Sequence, residues 1–262
     1  MTWRAVKIIA VISMTLDHFL KIFTVQPMLT ELFGMDMAVS YYLLILVEPL
    51  GRVAFPLYAF GIAQGCTYTK NKRNFLLRLL IFAVIAEVPF QYALGTGAYH
   101  LRLAPTNVLF TLLYGALACF SVDFFKAKGK VWLAVFPILA LMFLGERFHA
   151  DYGAMGILFV LTPYLFPTKK GKLAALSGMI LMLYLFQPLL QHSFDFAADI
   201  LIRQSLQLLC ALLAVAVLAL YNGQKGRCGK LGQYFFYAYY PAHLAVLYWA
   251  AAGLGYGYRF VP

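Results

Sequence analysis

The chain has 262 residues, 63% hydrophobic and only 12% charged, with a mean hydropathy of +0.79. A soluble domain carries roughly a quarter charged residues, so this composition points to a membrane protein, and continuous apolar runs of about 20 residues exclude a β-barrel. The net charge of +11 sits in short clusters between those runs, which fits the orientation rule for membrane helices and argues against nucleic acid as a partner.

The expected fold is all-α: a polytopic transmembrane helical bundle, one integral-membrane domain over 1–262. Nine spans are expected at about 5–26, 51–69, 74–95, 105–125, 131–146, 152–168, 172–191, 201–221 and 233–254. The basic clusters Arg4/Lys7, Lys70/Lys72/Arg73/Arg78, Lys126/Lys128/Lys130, Lys169/Lys170/Lys172 and Lys225/Arg227/Lys230 recur after every second span. One topology puts them all on the same side, with the N-terminus cytoplasmic. Residues 37–49 are apolar and aromatic but short for a span, so they are expected as an interfacial or re-entrant helix ended by Glu48-Pro49.

The first run, KIIAVISMTLDHF, is long, lacks a small-residue cleavage site and reads as a permanent span rather than a signal peptide. It holds Lys7 near its start and Asp17-His18 deep in its second half. Lys7 and His18 are eleven positions apart, close to three turns, so they share one helix face along about 16 Å of axis. Titratable side chains at that depth line cavities or helix interiors.

Further along, GRVAFPLYAFG carries Arg52, which either snorkels to the outer interface or faces the same vestibule as His18. The turn Lys70, Lys72, Arg73 with Arg78 serves as a topology anchor or as a phosphate-binding rim. Glu87 is a carboxylate in mid-span, with Arg52 or Lys7 as candidate partners. Asn107 and Thr111, four apart on one face, suit interhelical hydrogen bonding. In the loop ERFHADYGAMG, Asp151 and Tyr152 mark a built site or a tight start to the following span. Gln187-Pro188 is a candidate kink, and Gln191-His192 are expected at the interface. His243 follows Pro241 by two residues, as a helix hydrogen bond or as a wall of the His18 cavity. Cys66, Cys119, Cys210 and Cys228 lack metal or disulfide spacing, so no metal site is expected. No nucleotide loop or GxSxG motif is present.

Taken in order, KIIAVISMTLDH, GRVAFPLYAF, the basic turn with LLRLLIFAVIAEVPF, NVLFTLLYG, DYGAMGILFV and FYAYYPAHLAVLY resemble the TraX family from about residue 5 to 250. The resemblance implies a polytopic membrane acyltransferase of the bacterial cytoplasmic (inner) membrane, using cytoplasmic acetyl-CoA. Its acceptor is then the N-terminal amine of a pilin-like protein or a hydroxyl of an envelope glycan, at or across the lipid bilayer. It also implies that His18 is the catalytic histidine and that Lys7 stands at the basic position usually held by arginine, whose bidentate fork lysine lacks.

Under that resemblance the thioester is already activated, and a base for the acceptor is the main requirement. His18 is that base, or it carries the acetyl group transiently. Asp17, Glu87 or Asp151 would orient it or stabilise its imidazolium. Because consecutive residues splay about 100° around a helix, Asp17 is expected to reach Lys21 rather than His18. Arg52, Asn107, Asp151, Tyr152 and His243 line the substrate side, and Lys7, Lys70, Lys72, Arg73 and Arg78 the coenzyme A side. The alternatives are a proton-coupled transporter or flippase relaying through His18, Glu87 and His243, and a non-catalytic assembly scaffold.

Overall fold

A computed structural model of the chain describes residues 1–94, 105–191, 198–226 and 230–257. His192, Arg102, Arg227, Cys228 and Arg259 lie outside the described residues, as do the side chains of Gln191 and Lys230.

Among the described residues the fold is all-helical: α1 (Trp3–Ile22), α2 (Val25–Phe33), α3 (Met37–Val47), α4 (Ala54–Tyr68), α5 (Lys72–Leu94) and α6 (Val108–Ala127) are followed by α7 (Val135–Arg147), α8 (Gly153–Leu165), α9 (Lys169–Leu181), α10 (Gln187–Gln191), α11 (Ala198–Ala219) and α12 (Lys230–Leu254). Five stretches are long and apolar enough to cross a membrane: Met37–Tyr68, Lys72–Leu94, Val108–Ala127, Lys169–Leu189 and Leu201–Ala219. The chain is a membrane protein. Helix α1 has the length of a span but carries Lys7, Asp17 and Lys21, so its polarity comes from the residues of interest.

The outer faces show the same chemistry. On α5, Leu77, Leu80, Ile81, Val84, Ile85 and Val88 recur at helical spacing and are exposed, while Phe75, Leu79, Ala83 and Ala86 are buried. A helix that is apolar on both faces matches hydrocarbon on one side and packed neighbours on the other.

Residues 37–49 do not end at Glu48-Pro49. Helix α3 passes through a 3-10 turn (Glu48–Val53) into α4, making one helical run of 32 residues. Pro49 sits in the first positions of that turn, where its missing N–H removes no interior hydrogen bond. At the other candidate kink, Met182–Phe186 form a π turn just before Pro188. The proline has no N–H and would crowd the Tyr184 carbonyl, and one wider turn relieves both. The starts of α3 and α6 carry side-chain caps. Asp36 accepts the backbone N–H groups of Ala38 and Val39, and Asn107 accepts that of Leu109.

The chain gathers into two compact units. One holds the described residues of Met1–Leu57, Pro89–Leu101 and Ile180–Pro262; the other holds those of Tyr58–Val88 and Arg102–Met179. In the first unit α1 and α12 run parallel, with Lys7 over the Phe236 ring, Thr15 on the Tyr239 hydroxyl and His18 on His243. The ends of this pair are tied as well. Trp3 N–H donates to the Gln224 carbonyl, and both the N–H and the hydroxyl of Thr24 donate to that of Tyr256. In the second unit α6 packs on α8 at Gly115, where a Cβ would lie 2.6 Å from the Cβ of Val160. Such close backbone approach is how small residues hold membrane helices together.

Candidate functional site

The polar interior of the first unit is built by four elements: α1, the 3-10 turn, α11 and α12. Asp17, His18 and His243 are 8%, 7% and 6% exposed. The His18 Nδ1 lies 2.6 Å from the His243 Nε2, and the two rings are nearly coplanar, 15° apart, meeting edge to edge with centroids 4.9 Å from each other. The other His243 nitrogen, Nδ1, lies 2.8 Å from the Tyr239 carbonyl oxygen, one turn back on α12. Pro241 lacks the N–H that would reach back to residue 237, whereas the carbonyl that His243 uses belongs to residue 239. Tyr239 also stacks on the His243 ring at 4.9 Å and 7°, and its hydroxyl meets Thr15 at 2.7 Å. Tyr240 approaches both imidazoles edge-on or tilted.

Asp17 points away from that pair, as its place one residue before His18 requires. Its Oδ2 accepts from Lys21 at 2.6 Å and its Oδ1 lies 3.0 Å from the Arg52 guanidinium. The Arg52 guanidinium also lies 3.8 Å from Glu48, whose second oxygen takes Arg203 of α11 at 3.2 Å. Lys21, Asp17, Arg52, Glu48 and Arg203 therefore form a chain of alternating charge. Alternation keeps each buried or half-buried charge next to its opposite, which offsets desolvation. The 3-10 turn reaches α1 closely enough for this because residue 51 is glycine: a Cβ there would lie 2.5 Å from Asp17 Oδ1. Ser13 seals the same contact, its hydroxyl donating to the Leu50 carbonyl at 2.7 Å.

The second unit brings together another set. Glu87 accepts from the Thr106 hydroxyl, from the backbone N–H groups of Thr106 and Asn107 at 3.3 Å, and from Asn107 Nδ2 at 2.6 Å. Asn107 Nδ2 also reaches the Ala83 carbonyl at 2.8 Å. Thr111 donates to the Asp151 carbonyl, and Asp151 N–H donates to that of Thr106 at 2.7 Å. Glu87, Asn107 and Asp151 thus meet around the start of α6, joined by Thr106. Tyr152 adopts φ 64° just before α8, whose first turn is capped by Glu146 accepting from Ala154 N–H at 2.7 Å. The Asp-Tyr-Gly run is a tight helix start.

At the basic turn, Lys70 and Arg73 are exposed. Lys72 is held by Asp123 at 2.6 Å and lies over the Phe120 ring, while Tyr164 donates to the same carboxylate. Arg78 is half-buried, and its Nε makes no hydrogen bond among the described residues.

Sequence reasoning missed Glu48 and Arg203 as members of the charge chain, Tyr239 as the support of His243, Thr106 as a partner of Glu87, and Asp123 as a partner of Lys72. The Tyr239/His243 and Thr15/His18 spacings, four and three residues, were the available signal for the first site. Among the described residues no three His, Cys, Asp or Glu side chains gather as metal ligands.

Comparison with known proteins places this sequence in a family. The chain is 30% identical over 250 residues to the probable fimbrial assembly protein FimC, serogroup H1, of Dichelobacter nodosus, covering 92% of each. No solved structure matches. A profile described as "TraX protein" matches residues 3–250, and the chain belongs to the TraX family.

Proposed function

We propose that this protein is an integral-membrane acetyltransferase that moves an acetyl group from cytoplasmic acetyl-CoA to an acceptor used in building surface fibres or envelope glycans. The observation that carries the reading is the buried His18. One of its ring nitrogens is held by His243, and the other, Nε2, makes no hydrogen bond among the described residues. A neutral imidazole with one free nitrogen is the usual general base for a hydroxyl or amine acceptor. On the neighbouring face of α1, Asp17, Lys21 and Arg52 hold paired fixed charges of both signs one residue from the imidazole, which suits a site where charge develops during acyl transfer. Membership in the TraX family and the fimbrial-assembly name of the relative support an acceptor of the pilin class, with a glycan hydroxyl as the alternative.

The basic turn suits a polyphosphate ligand. Lys70 and Arg73 are exposed and Arg78 carries a buried Nε without a hydrogen-bond partner among the described residues, whereas Lys72 is engaged by Asp123. Lys70, Arg73 and Arg78 would hold the phosphates of coenzyme A, and the bound thioester supplies an activated acyl group. Glu87, Asn107 and Asp151 act through structure, closing the start of α6.

Nine crossings with a cytoplasmic N-terminus, in the bacterial inner membrane, complete the reading. The parallel run of α1 and α12 supports it, since an odd count sends the first and ninth crossings the same way. Reading Met37–Tyr68 as one long crossing keeps that count odd.

The test is mass spectrometry of pilins and envelope glycans from cells with the wild-type protein, without it, and with His18→Ala. Acetylation that appears with the wild type alone is the expected result. Wild-type acetylation by a folded His18→Ala protein would remove the claim.

A further inference from the structure

The hydrogen bonds around the two histidines leave only one neutral arrangement of their protons. The Tyr239 carbonyl can only accept, so His243 Nδ1 carries a hydrogen. In a neutral ring its Nε2 is then bare and can only accept, so the hydrogen in the contact between the rings belongs to His18 Nδ1. His18 is left with a bare Nε2. The reverse direction would require both nitrogens of His243 to be protonated, placing an imidazolium in a buried pair with no carboxylate in hydrogen-bond contact with either ring among the described residues.

We propose that His243 is the positioning residue of this site: it holds His18 as the Nδ1–H tautomer, so that Nε2 of His18 is the nitrogen that takes the acceptor's proton. The inference rests on the acyl-transfer reading for its catalytic consequence and on the geometry alone for the tautomer. In the transfer, His18 Nε2 accepts the proton and returns it to the departing thiolate while the acyl group passes from sulfur to the acceptor, so atoms and charge balance. The Nδ1–H tautomer is the minority form of free histidine in water, and a dedicated acceptor is what selects it. The remaining contacts of His243 serve the same end. Tyr239 backs the ring by stacking, takes the Nδ1 hydrogen through its carbonyl, and is itself anchored to α1 through Thr15.

The experiment uses the full chain in lipid bilayers with isotope-labelled histidine. Solid-state NMR reads the ring nitrogens of His18, assigned by loss of its signals in His18→Gln. The expected wild-type spectrum shows His18 protonated at Nδ1 and bare at Nε2, and an Nε2–H form overturns the proposal whatever the activity.

His243→Gln keeps a side-chain carbonyl as acceptor, so it should keep the tautomer and lose less than about tenfold in kcat. His243→Leu removes the acceptor, shifts His18 to the Nε2–H form and lowers kcat at least about 10²-fold with KM unchanged, the lower end of the range for losing a group that orients a functional histidine. Equal losses in the Gln and Leu variants with an unchanged His18 tautomer would reduce His243 to packing and overturn the proposal. If His243→Leu does not fold, the wild-type and His243→Gln spectra still decide. A wild-type spectrum as expected, together with no acyl transfer to any acceptor, would sink the enzymatic reading and leave the histidine geometry standing.

Discussion

His18 and Glu87 are both titratable residues buried in the second half of long helices, and a hydropathy plot treats them alike. Their surroundings do not. The Glu87 carboxylate is occupied by two side chains and two backbone N–H groups at the start of α6, an arrangement that fixes a helix terminus. The His18 ring is held through one nitrogen and presents the other. On the proposed reading, Glu87, with its bonding capacity consumed, serves structure, and His18, held on a single side, is the one left for chemistry. Their partners separate the two cases, and depth in the helix does not.

The largest effect should come from His18→Ala. Loss of the base should lower acetyl transfer at least about 10³-fold, measured with labelled acetyl-CoA in bilayers, while the thermal transition stays near that of the wild type. A large loss of stability with residual activity would erase the distinction. Glu87→Ala should do the opposite. It strands the donors of Thr106 and Asn107 and should lower unfolding free energy by about 3 kcal/mol, with activity per folded molecule falling far less than for His18→Ala.

Gly51→Ala probes the support of the first site without touching a ring. The added methyl group would enter the space of Asp17, and a loss of about 2 kcal/mol is expected, together with a loosened Asp17–Arg52 pair. The smallest effect should follow Lys70→Glu with Arg73→Glu. Both residues are exposed, so stability should change little, but coenzyme A binding measured by calorimetry should weaken and lose its salt dependence. An unchanged affinity would leave that turn as a topology anchor.

Much of the fold was legible because apolar length is written directly in the sequence. Most helix boundaries fall within a few residues of expectation, and the eleven-residue spacing did put Lys7 and His18 on one face, the face that meets α12. The joining of α3 to α4 was not legible, since Glu-Pro is a strong stop signal and only the tight seat of Gly51 on Asp17 explains why a 3-10 turn is held there instead. The partners of Asp17 and His18 were legible in part. Lys21 is one turn away on the same helix, whereas the Asp17–Arg52 pair and the His18–His243 pair depend on which helices come together, and periodicity within one helix does not carry that information.

The two histidines are 225 residues apart in the chain, and α1 meets α12 along its length. During synthesis, α1 is inserted long before its partner exists. Until α12 arrives, His18 has no acceptor for its Nδ1 hydrogen and Thr15 no tyrosine to bind. A ribosome that stalls after α11, or a protease that clips the loop before α12, would release a protein with most of its membrane helices and no assembled imidazole pair. Competence would then be acquired in one late step of biogenesis, so partial products sitting in the same membrane would stay inert.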